Sequence, residues 1–254
     1  MRLEILSPVI VSLSALMLIV LERRFPYTEG QPLFREGLWT DLAMYTIFQS
    51  YLLSWIIFGF IYWLDRETSA SRWHLISGWS LWSQFLLFFI THDLYIYLFH
   101  RWQHHNRLLY RIHEAHHSVR DVDWLAGARS HSLEILVNQT IEFTPIILLG
   151  AAPEIVLLKG IVDAVWGMYI HSNIDVRSGG LQYIVNGPEM HRWHHAKGKG
   201  NSVNYSTKLA LWDWIFGTAY LPSDKKPSSF GLAHLNFPKH YFLQQWFAFR
   251  SFRK

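Results

Sequence analysis

The sequence contains three long stretches without Asp, Glu, Lys or Arg, at 5–21, 42–64 and 73–90. A helix that crosses a bilayer needs about 20 predominantly apolar residues, with a range of roughly 17–25, and it satisfies its own backbone hydrogen bonds. All three stretches meet this requirement, so we predict three membrane-spanning helices. A cleaved signal peptide is an alternative for the first stretch, although Arg23 and Arg24 follow it and no small-residue cleavage motif is present.

The composition agrees with a membrane protein. Only 17% of the residues are charged, whereas soluble domains carry about 25%. The net charge is +4 without a concentrated basic block, which argues against nucleic acid as a partner. The chain has no cysteine, which excludes a disulfide scaffold, a thiolate zinc site, an iron–sulfur cluster and a cysteine nucleophile.

A fourth apolar region, 143–170, is interrupted by proline, glycine and charged residues. We predict that it forms two half-length helices, because each half is too short to cross the membrane alone. These halves would make a broken hairpin within 141–170 that dips into the membrane and returns. One imperfect spanning helix is the alternative.

Lys and Arg in the short loops predict that the first loop and everything after residue 99 face the cytoplasm. The predicted fold is therefore all-α. It is an integral membrane helical bundle of three spanning helices plus a broken re-entrant hairpin, with a cytoplasmic helical cap rich in histidine. We divide the chain into a transmembrane region, 1–99, and a histidine-rich catalytic region, 100–254, which together form one integrated domain.

The histidines are clustered: 12 of the 15 lie between His92 and His195. One His-x3-His and two His-x2-His-His clusters each place their imidazoles on one helix face, because positions i, i+3 and i+4 are neighbours on a helix. Eight imidazoles are too many for one zinc ion. We therefore predict two metal ions, with His171 as the ninth ligand, although imidazole alone does not name the metal. The eight clustered residues are His100, His104, His113, His116, His117, His191, His194 and His195.

Other residues near these clusters are weaker candidates. His105 adjoins His104 but points off its helix face, and we leave it out. His92 lies two turns before His100 and is predicted to bind a metal or to hydrogen-bond a ligand; His131 is a candidate ligand or substrate-side group. Acids and amides close in sequence are candidate partners of the outer ring nitrogens. These are Asp93, Glu114, Glu134, Asn173, Asp175 and Glu189.

Asp93 differs from the other candidate partners because apolar residues flank it on both sides. An acid inside a membrane segment is costly and usually has a function. We predict that it has a structural role, or supports a metal ligand, together with an Arg or a His.

Two histidine-held ions at the mouth of apolar helices could bind O2 and, with two electrons supplied, attack an unactivated C–H bond of a lipid that enters from the bilayer. The tract 119–125 and the hairpin are candidate walls of the access cleft. A zinc-dependent membrane hydrolase with Glu114 or Glu189 as its base is an alternative, although the chain lacks His-Glu-x-x-His. A non-catalytic metal-binding membrane protein is the other alternative.

The motifs DLYIYLFHRWQH at 93–104, HEAHH at 113–117, HSN at 171–173 and MHRWHH at 190–195 resemble the fatty acid hydroxylase/sterol desaturase superfamily. The resemblance implies a membrane-bound, non-haem di-iron enzyme that hydroxylates or desaturates a fatty acyl chain, a sterol or a related isoprenoid, using O2. It implies two Fe ions, with zinc as a possible substitute. The implied ligands are His100, His104, His113, His116, His117, His171, His191, His194 and His195, with His131 where the family often carries a further histidine.

The resemblance also implies an external electron supply, since this sequence shows no cytochrome-b5-like or ferredoxin-like domain. We expect a separate donor protein of either kind to dock on a basic patch. For localisation we favour a bacterial inner membrane over the endoplasmic reticulum, with the active site facing the cytoplasm. The residues of the basic patch are Arg101, Arg107, Arg111, Lys197 and Lys199.

Overall fold

The computed structural model describes residues 3–233 and 236–251, so the last three residues of the predicted catalytic region lie outside it. The described parts are helical and contain no strand. Extended pairing is limited there to two isolated bridges, between Pro26 and Ile174 and between Ala196 and Phe230. The all-α prediction is confirmed.

The first two apolar stretches form the helices α1 (Leu3–Arg24) and α2 (Leu38–Thr68). Both helices are long and apolar enough to cross a membrane. In α2, the segment Asp41–Gln49 is wound as a π-helix, and the α-helical part that follows continues without a break.

The third stretch forms α3 (Leu81–His105), which begins later than predicted. Residues Ala70–Trp73 form a short 3₁₀ turn instead. The Ser80 side chain accepts a hydrogen bond from the Ser83 backbone N–H and fixes the start of α3. Asp93 does not interrupt this helix. In the described chain, the helices apolar enough to span by hydropathy are α1 and α2, and α3 is not among them.

The hairpin prediction is confirmed in part. The region forms two antiparallel helices, α5 (Ser132–Leu148) and α6 (Pro153–His171), so the alternative of a single helix is wrong. Gly150 between them has a φ of 71°, in the left-handed region that favours glycine. The arms have 17 and 19 residues, so each is long enough to cross. The expected half-length arms within 141–170 are wrong because α5 begins at Ser132, among polar residues that the apolar pattern did not include.

The tip of the hairpin lies beside the loop that joins α2 to α3. The Ile76 backbone N–H donates to the Leu149 carbonyl at 3.3 Å, and the Ala152 N–H donates to Gln84 Oε1 at 2.8 Å. The tip of the hairpin therefore reaches the ends of α2 and α3 that the α2–α3 loop joins.

The apolar core lies between α2, α3 and the hairpin, around Ile57, Ile61, Phe88 and Ile146, and α1 packs on α6. The remaining helices gather at the end of the bundle opposite the hairpin tip. They are α4 (Arg107–His117), α7 (Pro188–His194), α8 (Leu211–Ile215) and α9 (Tyr241–Phe247), with 3₁₀ turns at Ala126–Ala128, Gly179–Tyr183 and Lys199–Ser202.

Candidate metal centre

A sharp turn between α3 and α4 brings the first two histidine clusters face to face. Asn106 ends α3, and its side chain caps α4 by accepting from the backbone N–H groups of Leu108 and Leu109. As a result, the Nε2 atoms of His100 and His113 lie 2.9 Å apart. Those of His104 and His117 lie 3.2 Å apart.

The end of α6 and the whole of α7 supply the other imidazoles. His171 is the last residue of α6, and Pro188 begins α7, as its position predicts. His171 Nε2 lies 3.2 Å from His116 Nε2 and 3.0 Å from His191 Nε2. His194 Nε2 lies 3.1 Å from His117 Nε2.

All nine predicted histidines meet in two adjacent groups. Within each group the candidate ligand nitrogens lie within 4.8 Å of one another. The division into five and four agrees with the prediction of two ions. The five-histidine group is His100, His104, His113, His117 and His194, and the four-histidine group is His116, His171, His191 and His195.

Burial favours the neutral form of six clustered imidazoles on α4, on α7 and at the C-terminal cap of α7. It lowers the pKa of each of them well below its usual range, and neighbouring imidazoles lower it further. A neutral imidazole keeps the lone pair that a metal ion takes. The residues are His113, His116, His117, His191, His194 and His195.

Several outer ring nitrogens are held by hydrogen bonds. The Nδ1–H groups of His100 and His194 donate to the carbonyl oxygens of Tyr205 and Val203, at 2.7 and 2.9 Å. His171 Nδ1–H donates to the Gly167 carbonyl at 2.6 Å. A carbonyl cannot donate, so each Nδ1 carries the proton and each Nε2 presents a lone pair to the centre.

A carboxylate holds a fourth imidazole: His113 Nδ1 lies 2.9 Å from Glu134 Oε1. With Nδ1 donating there, the Nε2 lone pairs of His100 and His113 face each other at 2.9 Å. Two facing lone pairs repel unless a cation lies between them, so the donor set fits a metal ion.

The number of donors bears on the kind of ion. The five-histidine group exceeds the four ligands of a structural zinc site. Imidazole ligands suit iron, zinc, copper and nickel, so the donor atoms alone do not name the metal.

Two of the predicted supporting residues act elsewhere. Asp93 accepts from the backbone N–H groups of Lys208 and Leu209 and from the Trp212 indole N–H. It is fully buried and fixes the loop before α8, which is the structural form of the predicted role. The expected Arg or His partner is wrong, since the charged group beside Asp93 is Lys208 Nζ, 3.7 Å from Oδ1. Asn173 exchanges hydrogen bonds with the backbone of Thr28 and supports the chain after α1.

His131 and His92 lie outside the two histidine groups of the metal centre. The Nδ1 of His131 caps α5 by accepting from the Leu133 N–H, and its Nε2–H donates to the Gln245 carbonyl. The expectation that His131 is a metal ligand is wrong. His92 lies with Glu142 and Asp163, apart from the nine histidines. His105 is exposed and bonds to the Arg101 carbonyl, as expected for a residue off the helix face.

Within the part of the chain that the structure describes, Glu134 is the predicted acid that lies within hydrogen-bond distance of a clustered histidine. Glu114 pairs instead with Arg250 at 2.7 and 2.8 Å. Glu189 binds Arg177, and Asp175 binds Lys226. These acids join distant segments of the histidine-rich end.

Sequence reasoning did not identify the residues that hold the centre together. Asp213 accepts from the backbone N–H groups of Tyr205 and Ser206 and so fixes the loop whose carbonyls hold His100 and His194. An acid among apolar residues was the available signal. Arg192 is fully buried between the rings of Tyr27 and Phe230.

A cavity of about 230 Å³ adjoins the centre. Residues of α3, α5 and α6 form most of its walls, so both arms of the hairpin line it as predicted. The tract 119–125 does not line this cavity. Val119, Arg120 and Asp121 instead line a separate cavity of about 470 Å³.

Residues 85–218, more than half of the chain, match the family model described as fatty acid hydroxylase. The chain belongs to this family. The matched segment contains the nine clustered histidines together with Asp93 and Asp213, so the family match covers the whole candidate metal centre.

Curated relatives agree with the family. The ornithine lipid hydroxylase OlsE of Rhizobium tropici is 35% identical over 153 residues, which is 59% of this chain and 45% of that protein. The alkylglycerol monooxygenase of Homo sapiens is 30% identical over 62% of this chain and 34% of its own length. The methylsterol monooxygenase 1 of Rattus norvegicus is 27% identical over 77% of this chain and 67% of its own length.

The chain spans less than half the length of the first two of these relatives. No solved structure matches it significantly.

Proposed function

We propose that this family member is a membrane-bound, non-haem di-iron oxygenase that hydroxylates, or desaturates, a lipid substrate. A fatty acyl chain, a sterol or a related isoprenoid is the substrate class. The observation that carries the proposal is the convergence of nine imidazoles in two groups inside the segment that matches the family. The relatives are named as lipid hydroxylases and monooxygenases, which does not favour a zinc hydrolase or a non-catalytic metal-binding protein.

The two histidine groups would each hold one iron ion. With iron bound, the centre supplies O2 activation: O2, two external electrons and two protons convert a C–H bond to C–OH and release one water. The chain's own residues orient and shield this centre. Glu134 and the loop carbonyls fix the imidazole tautomers, and Ile96, Phe99 and Ile135 give the adjoining cavity an apolar wall that limits water.

The test is metal analysis of protein purified in detergent from iron-fed, zinc-limited cells. We expect about two irons per chain and lipid-dependent O2 consumption. Two zinc ions per chain with hydrolysis of a lipid, or no bound metal at all, would contradict the proposal.

For topology, we propose that α3 is the third span, beside α1 and α2. Its outward face is apolar, and Trp82 and Trp102 near its two ends are 75% and 57% exposed. These residues are 20 positions apart, which corresponds to about 30 Å of helix and to the hydrocarbon thickness. Tryptophan at both interfaces is typical of spanning helices. The one integrated domain then includes both regions, 1–99 and 100–254, because the hairpin packs along α2 and α3.

We further propose that the metal centre faces the cytoplasm of a bacterial inner membrane, as the basic loops indicate. Since the chain has no native cysteine, single cysteines report sidedness. Ser77→Cys, in the exposed α2–α3 loop, is expected to react with an impermeant maleimide on intact cells. Ser223→Cys, exposed near the histidine-rich end, is expected to react only after lysis. Labelling of both from the same side would contradict this topology.

The electron donor is proposed to be a separate cytochrome b5- or ferredoxin-like protein that docks on the basic patch. Arg107 and Lys197 are exposed there. Arg111 is less available to a docking protein than these two residues, because its guanidinium donates to the carbonyls of Arg250 and Ser251. Arg107→Glu with Lys197→Glu is expected to slow reduction by an acidic donor several-fold at low salt without loss of metal. An unchanged reduction rate would exclude this docking surface.

A further inference from the structure

A second buried polar group lies midway along the bundle, outside the candidate metal centre. Lys159 Nζ is 2.9 Å from both Glu142 Oε1 and Asp163 Oδ2. Lys208 Nζ is 3.1 Å from Asp163 Oδ1. His92 Nδ1 is 3.7 Å from Glu142 Oε1. We refer to these five residues as the charged cluster. Charged groups at this depth are costly and usually functional.

A metal ion is not the occupant that this cluster fits. His92, Glu142 and Asp163 do offer three ligand atoms within 4.8 Å of one another. However, the ammonium group of Lys159 is already within hydrogen-bond distance of both carboxylates. This ammonium supplies the positive charge that a metal ion would bring.

The charged cluster and the metal centre share one cavity. His92, Glu142, Asp163 and Lys208 line the cavity of about 230 Å³ that several of the nine clustered histidines also line. Apolar side chains such as Ile96 form the wall between the two ends. Its volume is below the roughly 300–1,000 Å³ of pockets that enclose a whole ligand, so it suits a segment of a lipid.

Three helices set the same separation between the charged cluster at one end of the cavity and the metal centre at the other. His92 precedes His100 on α3 by eight residues, and Asp163 precedes His171 on α6 by eight residues. On α5, eight residues separate Glu142 from the glutamate that holds His113. At 1.5 Å per residue this separation is about 12 Å.

The groups left available in the cluster suit a hydroxyl. Both lysines are engaged with carboxylates, and Lys208 Nζ also lies 3.7 Å from Asp93 Oδ1. The Asp163 side chain is 22% exposed. Nε2 of His92 is buried without a hydrogen bond of normal geometry, although the Asn138 backbone interacts with this imidazole. A hydroxyl can donate to the carboxylate and accept from the imidazole N–H. A charged head group would instead leave an uncompensated buried charge.

We propose that the charged cluster binds an uncharged, hydroxyl-bearing end of the lipid substrate and so places a carbon about 12 Å away at the metal centre. This inference rests on the proposed function, whose metal centre it takes as the reacting end. Asp163 and His92 are positioning residues in this arrangement.

The test uses the full iron-loaded chain in nanodiscs under argon, where binding occurs without oxidation. The probes are tritiated hexadecan-1-ol, hexadecane, hexadecan-1-amine and hexadecanoate. We expect the alcohol to bind about 10-fold more tightly than each of the others. His92→Phe and Asp163→Asn are each expected to weaken alcohol binding about 10-fold with the iron content unchanged. Asp123→Asn is the control, because Asp123 is buried with Arg35 outside this cavity.

An alcohol affinity no greater than that of hexadecane, the amine or the acid would overturn the inference, as would equal losses in the control. If the cluster variants do not fold, the ranking of the four probes on the unaltered chain still decides. After O2 and electrons are supplied, mass spectrometry is expected to locate the new oxygen in the interior of the alkyl chain, and oxidation beside the hydroxyl would also overturn the inference. Failure of the proposed function would appear separately, as absent iron or absent O2 uptake.

Discussion

Replacing His116 by alanine is expected to remove metal and activity together, with activity reduced more than 100-fold. His116 Nε2 faces His171 Nε2 at 3.2 Å inside the four-histidine group, so its loss would leave that group with three histidines to hold the proposed ion. Even partners that only orient a ligand contribute about 10–100-fold. The measurement is iron per chain by elemental analysis, with product formation on the same samples.

His105→Ala is the matched control, because His105 is exposed and its Nδ1–H donates to the Arg101 carbonyl, away from the centre. We expect its iron content and activity to stay within about 2-fold of the unaltered protein, as for most exposed sites. The iron content and activity of Glu134→Gln should lie between those of His116→Ala and His105→Ala. This change weakens the hydrogen bond that orients His113 without removing a ligand. Equal losses at His116 and His105 would show that the assignment of the helix face is wrong.

Acidification is expected to unfold the metal-free protein. Burial holds the pKa of six clustered histidines well below the ordinary value, which is about 6.5 in the unfolded chain. Below that pH the unfolded state binds more protons than the folded state, so the free energy of unfolding falls as the pH falls. The loss is on the order of 1 kcal/mol per histidine for each pH unit.

The measurement is the thermal unfolding midpoint in detergent, from pH 8 to pH 5, with and without iron. The midpoint of the metal-free protein should fall steeply below about pH 6.5. The iron-loaded protein should resist to a lower pH, because bound metal competes with protons for the imidazoles. A midpoint that is independent of pH, or that rises on acidification, would contradict the assignment of buried neutral histidines.

The local patterns in the sequence were sufficient for the helices and for the candidate ligands. Uncharged stretches of spanning length are helical in α1 and α2, because apolar backbone in a membrane has few alternatives. The spacing of His113, His116 and His117 places them on one face of α4, where helix geometry alone makes them neighbours. That the nine histidines form two groups agrees with the number of imidazoles that one ion can take.

The errors concern residues whose partners are distant in sequence. Asp93 binds a loop more than 110 positions later, and His131 binds the carbonyl of Gln245. The apolar pattern also underestimated the length of the hairpin, since α5 begins among polar residues. Ser132 at its start forms hydrogen bonds with Tyr241 and Gln245 of α9. The hydrophobic periodicity of one segment carries no information about which distant segment will pack or hydrogen-bond against it.

The sequence by itself determined the all-α class, the two most apolar helices, the membership of the nine-histidine set and the family resemblance. These follow from composition and from i, i+3 and i+4 spacing, which are local properties. Only the tertiary structure decided which histidines share a group, which carbonyls orient them and where Asp93 and His131 act. It also placed the charged cluster and the metal centre on the walls of one cavity. These contacts join helices far apart in the chain, and the packing of α3 against the hairpin is what brings them together.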